Sequence, residues 1–245
     1  MKKLSISMTL AALTSLPGCG EAGPPPEPTG VAFGEKHSGQ YHEGPVDFRE
    51  SAWHNACAPA GGYRSELRDT VGLYGEYIAG VSNQLGADGS LCDACIEIET
   101  ERGNSIVARL VTYGVHQSPG DIDVSPSVFA AIHEGEYPRT MQWRLTACPP
   151  AGNIVYEFQE AAHAYWTSLW VRNARLPLRK VEVKRQNEKS FTALERGTDG
   201  TLTRGDGFGD GAFTLRLTAI DGQVLEEELP GFSPGALIDS KLQFE

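Results

Sequence analysis

Short runs of alternating apolar and polar residues fill the second half of the chain. They cover residues 154–158, 166–172, 179–184, 191–194, 213–219 and 224–229. Turn-forming Asp-Gly pairs at 199–200 and 221–222 separate some of these runs. Alternation with a period of two is typical of strands that bury one face, and Asp-Gly pairs favour tight turns. Many short strands at regular spacing predict a β-sandwich over residues 152–245.

The first half also alternates, although less regularly. Residues 95–100 and 106–113 alternate on either side of a polar, glycine-containing turn, and this arrangement predicts a hairpin. Residues 141–147 form a further apolar run that favours a strand. Residues 58–90 are rich in glycine and alanine and show no clear period, so the pattern there is ambiguous.

One short helix and one domain boundary stand out within this β pattern. Ser125 and Pro126 are a favoured N-cap and a favoured first helical residue, and apolar residues follow at helical spacing over 126–134. Prolines at 149 and 150 then end the last strand of the first half, because proline cannot donate to a sheet. We therefore predict a first domain over residues 35–149, followed by the sandwich.

The amino terminus has the layout of a secretory signal peptide. Two lysines precede an apolar run over residues 4–16, which is too short to span a membrane permanently. We predict a signal peptide over 1–18 and a proline-rich tether without a fold over 19–34. Residues 16–19 also resemble a bacterial lipobox, so Cys19 is a candidate lipidation site. The protein would then be either freely secreted or held at the cell surface, for example as an outer-membrane lipoprotein.

Four cysteines follow Cys19, and they favour disulfides. They are Cys57, Cys92, Cys95 and Cys148. An even number of cysteines in an exported chain indicates two disulfides. The C-x-x-C at 92–95 also permits a zinc site, but zinc ribbons usually supply two close pairs, and the other two cysteines lie far apart in the sequence. The spacing alone does not choose the pairing.

Charge and missing motifs exclude several classes of function. The formal net charge is −11, which repels phosphate backbones and anionic lipid heads. We therefore expect no nucleic-acid partner, and contact with a membrane only through a lipid on Cys19. No phosphate loop, dinucleotide fingerprint or zinc-protease motif occurs, and the histidines show no metal-binding spacing. We predict no cofactor and no metal, whereas a neutral polymer is electrostatically permitted.

Two carboxylates, Asp121 and Asp123, precede the predicted helix. In an extended segment their side chains point to one side, about 7 Å apart. That separation is typical of an inverting glycosidase pair, but inversion requires an acid and a base on opposite faces of the sugar. The alternative is a structural role, since acidic residues before a helix interact favourably with its dipole.

Large aromatic residues cluster after the domain boundary. Trp166 and Trp170 share one face of a predicted strand, about 13 Å apart, and Tyr165 lies next to them. Flat rings on an exposed face stack on the C–H groups of pyranose rings. The same residues would equally suit a sandwich core, so a polysaccharide-binding platform and a structural core both remain open.

Several segments, in this order and spacing, resemble motifs of the bacterial expansins over residues 37–245. They are CDACIEI at 92–98, DVSPSVF at 123–129, WRLTAC at 143–148, GNIVY at 152–156, YWTSLWVRNARLP at 165–177 and TAIDGQ at 218–223. The resemblance implies an all-β fold, with a six-stranded double-psi β-barrel followed by an immunoglobulin-like β-sandwich that binds carbohydrate. It also implies disulfides between Cys57 and Cys92 and between Cys95 and Cys148.

The resemblance implies a function without catalysis. Expansins bind cellulose or related wall polysaccharides and loosen their contacts without hydrolysis. Asp123 corresponds to the general acid of the related glycosidases, with Asp121 as its nearest helper, and no general base has a counterpart. Trp166, Trp170 and Tyr165 correspond to the binding platform, although the family's third aromatic is missing near 199–200. We expect a monomer.

The chain departs from the expansin pattern in the groove of the barrel. Thr112 lies where the family has an aspartate, and the usual amino-terminal motif is replaced around Tyr41. We expect Thr112, Tyr113 and Tyr41 to line this groove. Two alternatives remain open: an inverting endo-β-glucanase with Asp123 as its general acid, and a peptidoglycan-directed envelope lipoprotein.

Overall fold

The computed structural model describes residues 25–44, 56–59, 62–70, 77–150 and 152–245. The signal peptide and Cys19 lie outside these residues, so the leader and its lipidation stay predictions. In the part of the chain that the structure describes, no helix has the length and apolar character needed to cross a membrane.

The first domain is a closed barrel of six strands in the order β1-β5-β2-β4-β3-β6. Strands β1 and β6 close it in antiparallel fashion, while β1–β5 and β2–β4 are parallel pairs. This architecture confirms the predicted double-psi class of barrel. Its strands are β1 (Ala32–Glu43), β2 (Ile78–Ser82), β3 (Cys95–Thr100), β4 (Ser105–Gly114), β5 (Ile122–Val124) and β6 (Thr140–Thr146).

Local sequence signals account for much of the barrel. The predicted hairpin is present as the antiparallel pair β3–β4. Three short helices accompany the strands: α1 (Ser65–Thr70), α2 (Asn83–Gly86) and α3 (Pro126–Ile132). Helix α3 begins where the sequence predicts, because Ser125 Oγ accepts a hydrogen bond from the Val128 amide at its first turn. Its buried Val128 and Ile132 pack into the barrel core.

The prediction that residues 19–34 form a tether without a fold is wrong for residues 25–34, which the structure describes. Strand β1 begins at Ala32, and the Pro26 carbonyl accepts a hydrogen bond from the Val107 amide of β4. Thr29 Oγ1 also donates to the Ala147 carbonyl. Residues 25–34 therefore lie against the barrel wall, because β4 and β6 offer backbone groups that this segment can satisfy.

The second domain is a sandwich of a four-stranded sheet, β10-β9-β13-β14, and a five-stranded sheet, β11-β12-β8-β7-β15. The regular alternation of β13, buried at every second residue, shows how the sequence pattern produces its one apolar face. The strands are β7 (Val155–Phe158), β8 (Thr167–Arg172), β9 (Leu178–Arg185), β10 (Thr192–Ala193), β11 (Glu195–Arg196), β12 (Leu202–Arg204), β13 (Phe213–Ala219), β14 (Val224–Leu229) and β15 (Leu237–Asp239).

Both disulfides have the pairing implied by the expansin resemblance. Cys57 is bonded to Cys92, and Cys95 is bonded to Cys148. The second bond joins Cys95, the first residue of β3, to Cys148, the second residue after β6. The first bond ties the segment around 57 to the turn that carries Asp93.

A buried charge cluster joins the two domains. Arg172, at the end of β8, has no exposed side-chain surface, and its guanidinium donates to Asp93 of the barrel at 2.6 Å. It also donates to Glu157 of β7 at 2.7 Å and to the Cys57 carbonyl at 2.9 Å. Nearby, Tyr63 and Leu67 pack with Val155 of the sandwich. Since a buried guanidinium needs its acceptors, these bonds fix the barrel against the sandwich.

Candidate functional site

Asp123 lies on β5 of the barrel, two residues before the N-cap of helix α3. Its Cα partners are His42 on β1 and Gly80 on β2. The side chain is about one-fifth exposed, at 19%. Its Oδ2 lies 3.1 Å from Nε2 of His116, and Oδ1 has no hydrogen-bond partner among the residues that the structure describes. The predicted site residue is thus at the surface with one carboxylate oxygen held and the other open.

His116 contacts Asp123 and is a candidate site residue that the sequence did not reveal. It follows β4 in the loop that leads to β5, and its side chain is only 5% exposed. Its Nδ1 lies 3.1 Å from the Gly114 carbonyl. The bond to Asp123, opposed by burial, raises the pKa of His116. No motif marks this histidine, because it meets Asp123 only when the loop folds back onto β5.

Asp121 does not act as a partner for Asp123, which corrects the prediction of a helper carboxylate. Its side chain is buried, and its oxygens accept hydrogen bonds from the Gln40 amide at 2.8 Å and the Ser118 amide at 3.0 Å. It therefore pins the loop before β5 to strand β1. Gly39 allows this close approach, because a Cβ there would lie 2.4 Å from the Gly120 backbone.

Tyr41 does not line the groove but belongs to the core of the barrel. Its side chain is fully buried among apolar residues, and its hydroxyl is hydrogen-bonded to His133 and Glu136. Burial, with the bond to Glu136 second, raises the pKa of the Tyr41 hydroxyl. The expectation failed because the local sequence does not show which face of β1 turns inward when the barrel closes.

Thr112 is likewise buried and does not line a groove. Its Oγ1 accepts a hydrogen bond from the Ala56 amide at 3.2 Å, so it holds the segment that carries Cys57. Tyr113, the next residue of β4, is partly exposed and its hydroxyl donates to the Thr198 carbonyl of the sandwich at 3.0 Å. These neighbouring residues thus contact different segments: Thr112 contacts the one that carries Cys57, and Tyr113 contacts the sandwich.

Tyr165 and Trp166 form the exposed aromatic part of the sandwich. Tyr165 is 75% exposed, and Trp166 is half-buried in the turn that precedes β8. Paired backbone hydrogen bonds between His163 and Trp166 close this turn. Gly207 supports it from below, because a Cβ there would lie 2.0 Å from the Ala164 carbonyl oxygen. The turn that carries Tyr165 and Trp166 therefore packs closely against Gly207.

Trp170 is not part of this platform, which corrects the prediction that it binds polysaccharide. Its side chain is 3% exposed, and its indole Nε1 donates to the Asp199 carbonyl at 3.0 Å. The Arg172 guanidinium lies 4.8 Å from the centre of its ring. Of the two alternatives that the sequence left open, Trp170 follows the structural one, at the junction between the domains.

A separate polar cleft of about 650 Å³ lies on the outside of the barrel. Residues of β1, β3 and β6 line it together with Asp121, but Asp123 does not. Across the described ranges, no three His, Cys, Asp or Glu side chains come close enough together to hold a metal ion.

Sequence comparison relates the chain to expansins. It is 20% identical to expansin-like protein 6 of Dictyostelium discoideum over 82% of this chain and 72% of that protein. It is 25% identical to expansin YoaJ of Bacillus subtilis (strain 168) over 66% of this chain and 71% of the relative. No protein-family model matches the chain.

Solved structures show the same fold. The apo expansin of Clavibacter michiganensis superposes with a TM-score of 0.68 at 15% identity, covering 86% of this chain and 98% of the other. A mutant of that expansin in complex with cellohexaose gives a TM-score of 0.69 at 14% identity, with the same coverage. The relatives in sequence and the neighbours in structure agree: the chain is similar in sequence to expansins and has the fold of a bacterial expansin.

Proposed function

We propose that this protein binds a neutral wall polysaccharide, cellulose or a related β-glucan, and loosens its contacts without hydrolysing it. One observation carries the non-catalytic part: Asp123, which corresponds to a glycosidase general acid, is held by His116, and Asp121 is committed to backbone amides. The carboxylate that would deliver a proton is thus a hydrogen-bond acceptor.

The chemistry of hydrolysis explains why this arrangement favours binding. An inverting glycosidase needs a protonated acid over the glycosidic oxygen and a base ~6.5–9.5 Å away that activates water. Asp121 lies on the same strand segment as Asp123 and has both carboxylate oxygens engaged, so it cannot serve as that base. Proton delivery alone gives about 10²–10⁴-fold acceleration, which is far less than enzymes achieve. No observation on the described residues specifically favours an endoglucanase or a peptidoglycan-directed role.

The polymer-binding surface that we propose centres on Tyr165 and Trp166. Exposed rings offer flat apolar faces to the C–H groups of sugars, and the acidic surface does not repel an uncharged chain. The structural neighbour bound to cellohexaose supports the choice of a β-glucan. Asp123 Oδ1 would accept hydrogen bonds from sugar hydroxyls on the barrel.

The compartment that we propose is extracellular. Two disulfides persist in an oxidising environment, and a wall polysaccharide is reached only outside the membrane. We propose secretion or attachment to the cell surface, with a lipid on Cys19 as the finer alternative, and a monomer that needs no cofactor.

Depletion from suspensions of cellulose, chitin and peptidoglycan tests the proposed ligand. Wild-type protein should leave the supernatant with cellulose, and Tyr165→Ala should reduce that depletion. Val224→Ala is the control, because Val224 is exposed on β14, away from the turn at 163–166. Preferential depletion by chitin or peptidoglycan, or equal retention of Tyr165→Ala, would contradict the proposal.

A further inference from the structure

We infer that His116 is a positioning residue for Asp123: its ring holds Asp123 Oδ2 through one shared proton and directs Oδ1 toward the hydroxyl groups of the bound polysaccharide. The inference rests on the proposed function for the identity of that ligand. His116 lies outside every motif on which the resemblance rests.

The partners of the two ring nitrogens fix the number of protons. The Gly114 carbonyl can only accept, so Nδ1 of His116 carries a proton and donates it. A second proton must then lie between Nε2 and Asp123 Oδ2 for their 3.1 Å contact to be a hydrogen bond. In the bonded state the pair therefore consists of an imidazolium and a carboxylate, and loss of the shared proton would set two lone pairs against each other.

The surroundings of His116 favour the protonated ring. Asp123 and Asp121 are the charged groups that act on it from β5 and the residue before β5, and both favour the imidazolium. From β1, the Cα partner of Asp123 is the exposed His42. Burial acts in the opposite direction but is outweighed, so the pKa of His116 is raised.

The sign of the pH dependence follows from this geometry. A histidine with a raised pKa in the folded protein keeps its hydrogen bond below that pKa and loses it as the pH rises through it. The position of Asp123 Oδ1, and the binding that depends on it, should therefore be intact at acidic pH and weaken as the pH rises through the raised pKa of His116.

NMR titration of the His116 imidazole tests the pair without any ligand. Its signals are assigned by their absence from His116→Gln, and the pH is varied from about 5 to about 9, which spans imidazole titration. We expect Nδ1 to stay protonated throughout and the midpoint to lie above that of an ordinary histidine. Asp123→Asn should lower the midpoint. An ordinary midpoint that Asp123→Asn leaves unchanged would overturn the inference.

Two substitutions separate positioning from a merely structural role. Glutamine can donate from its side-chain amide at a place near that of Nε2, but it does not titrate. His116→Gln should therefore bind cellohexaose about as well as wild type at acidic pH and keep that affinity at alkaline pH. His116→Ala should bind about tenfold more weakly than wild type at acidic pH, because an oriented charged bond is lost, and its affinity should not fall further as the pH rises. His42→Gln is the control and should keep the wild-type pH profile.

The outcomes distinguish the two proposals. If wild type binds cellohexaose at no pH, the proposed function fails, and the NMR midpoint alone still decides the His116–Asp123 pair. If wild type binds but His116→Gln retains the wild-type pH profile, His116 does not position Asp123 and the inference fails. Equal affinity of His116→Ala and wild type at acidic pH, with both proteins folded by circular dichroism, contradicts it as well.

Discussion

Arg172 of the sandwich and Asp93 of the barrel meet at 2.6 Å in the junction between the domains. Asp93 sits in a left-handed backbone conformation, with φ 66°, in the short turn between Cys92 and Cys95. The guanidinium is fully buried, and the rings of Tyr63 and Trp170 each lie within 5 Å of it, at 4.9 and 4.8 Å. The sequence motifs of both domains thus converge on one structural contact.

Removing Arg172 should destabilise the whole protein. Arg172→Ala leaves the carboxylates of Asp93 and Glu157 buried without their cation, which costs about 3–5 kcal/mol. Arg102→Ala is the control: Arg102 is half-exposed beside Glu134, and such surface pairs contribute below about 1 kcal/mol. Urea denaturation measures both free energies of unfolding. Similar losses for the two variants would show that the junction does not depend on Arg172.

Tyr165, which precedes β8, and Trp170, which lies within β8, should respond in opposite ways to truncation. Trp170→Ala should lower the free energy of unfolding by about 3–5 kcal/mol, because it leaves a cavity at the junction. Tyr165→Ala should leave thermal stability nearly unchanged and weaken retention on cellulose, because its ring is exposed. A stable Trp170→Ala that loses cellulose binding would return Trp170 to the binding platform.

Much of this architecture could be predicted from local patterns in the sequence, and elements without such a pattern could not be. The hairpin β3–β4, helix α3 and the strands of the sandwich could be predicted because local patterns of apolar and polar residues indicate them. Strand β2 was missed because all five of its residues are buried, so it shows no alternation. The pairing of the cysteines followed from the resemblance and not from their spacing.

The site was harder to predict because it depends on contacts between distant residues. Periodicity placed Trp166 and Trp170 on one face, but it could not show that Trp170 is buried against Asp199 and Arg172. Tyr41 is buried in the barrel core and Thr112 is buried beside Ala56, because closure of the barrel decides which face of a strand points inward. His116 has no partner at a characteristic spacing, and only the folded loop brings it to Asp123.

The two disulfides should differ in their contribution to stability. Their sequence separations are 35 residues for Cys57–Cys92 and 53 for Cys95–Cys148, so loop entropy alone predicts a slightly larger loss for the second. The first bond, however, also holds the Cys57 carbonyl and the turn of Asp93, both of which bind Arg172. Replacing Cys57 and Cys92 by serine should therefore cost more than replacing Cys95 and Cys148, in urea unfolding. The reverse order would leave loop entropy as the whole explanation.

The release of reducing ends from cellulose tests the central claim most directly. Wild-type protein should deplete from solution onto cellulose while reducing ends stay at the level of a protein-free control. Asp123→Asn should also give background release, because Asp123 is bonded to His116 and its neighbour Asp121 is bonded to backbone amides. Steady release of reducing ends by wild type that disappears in Asp123→Asn would contradict the non-hydrolytic account and establish Asp123 as a general acid.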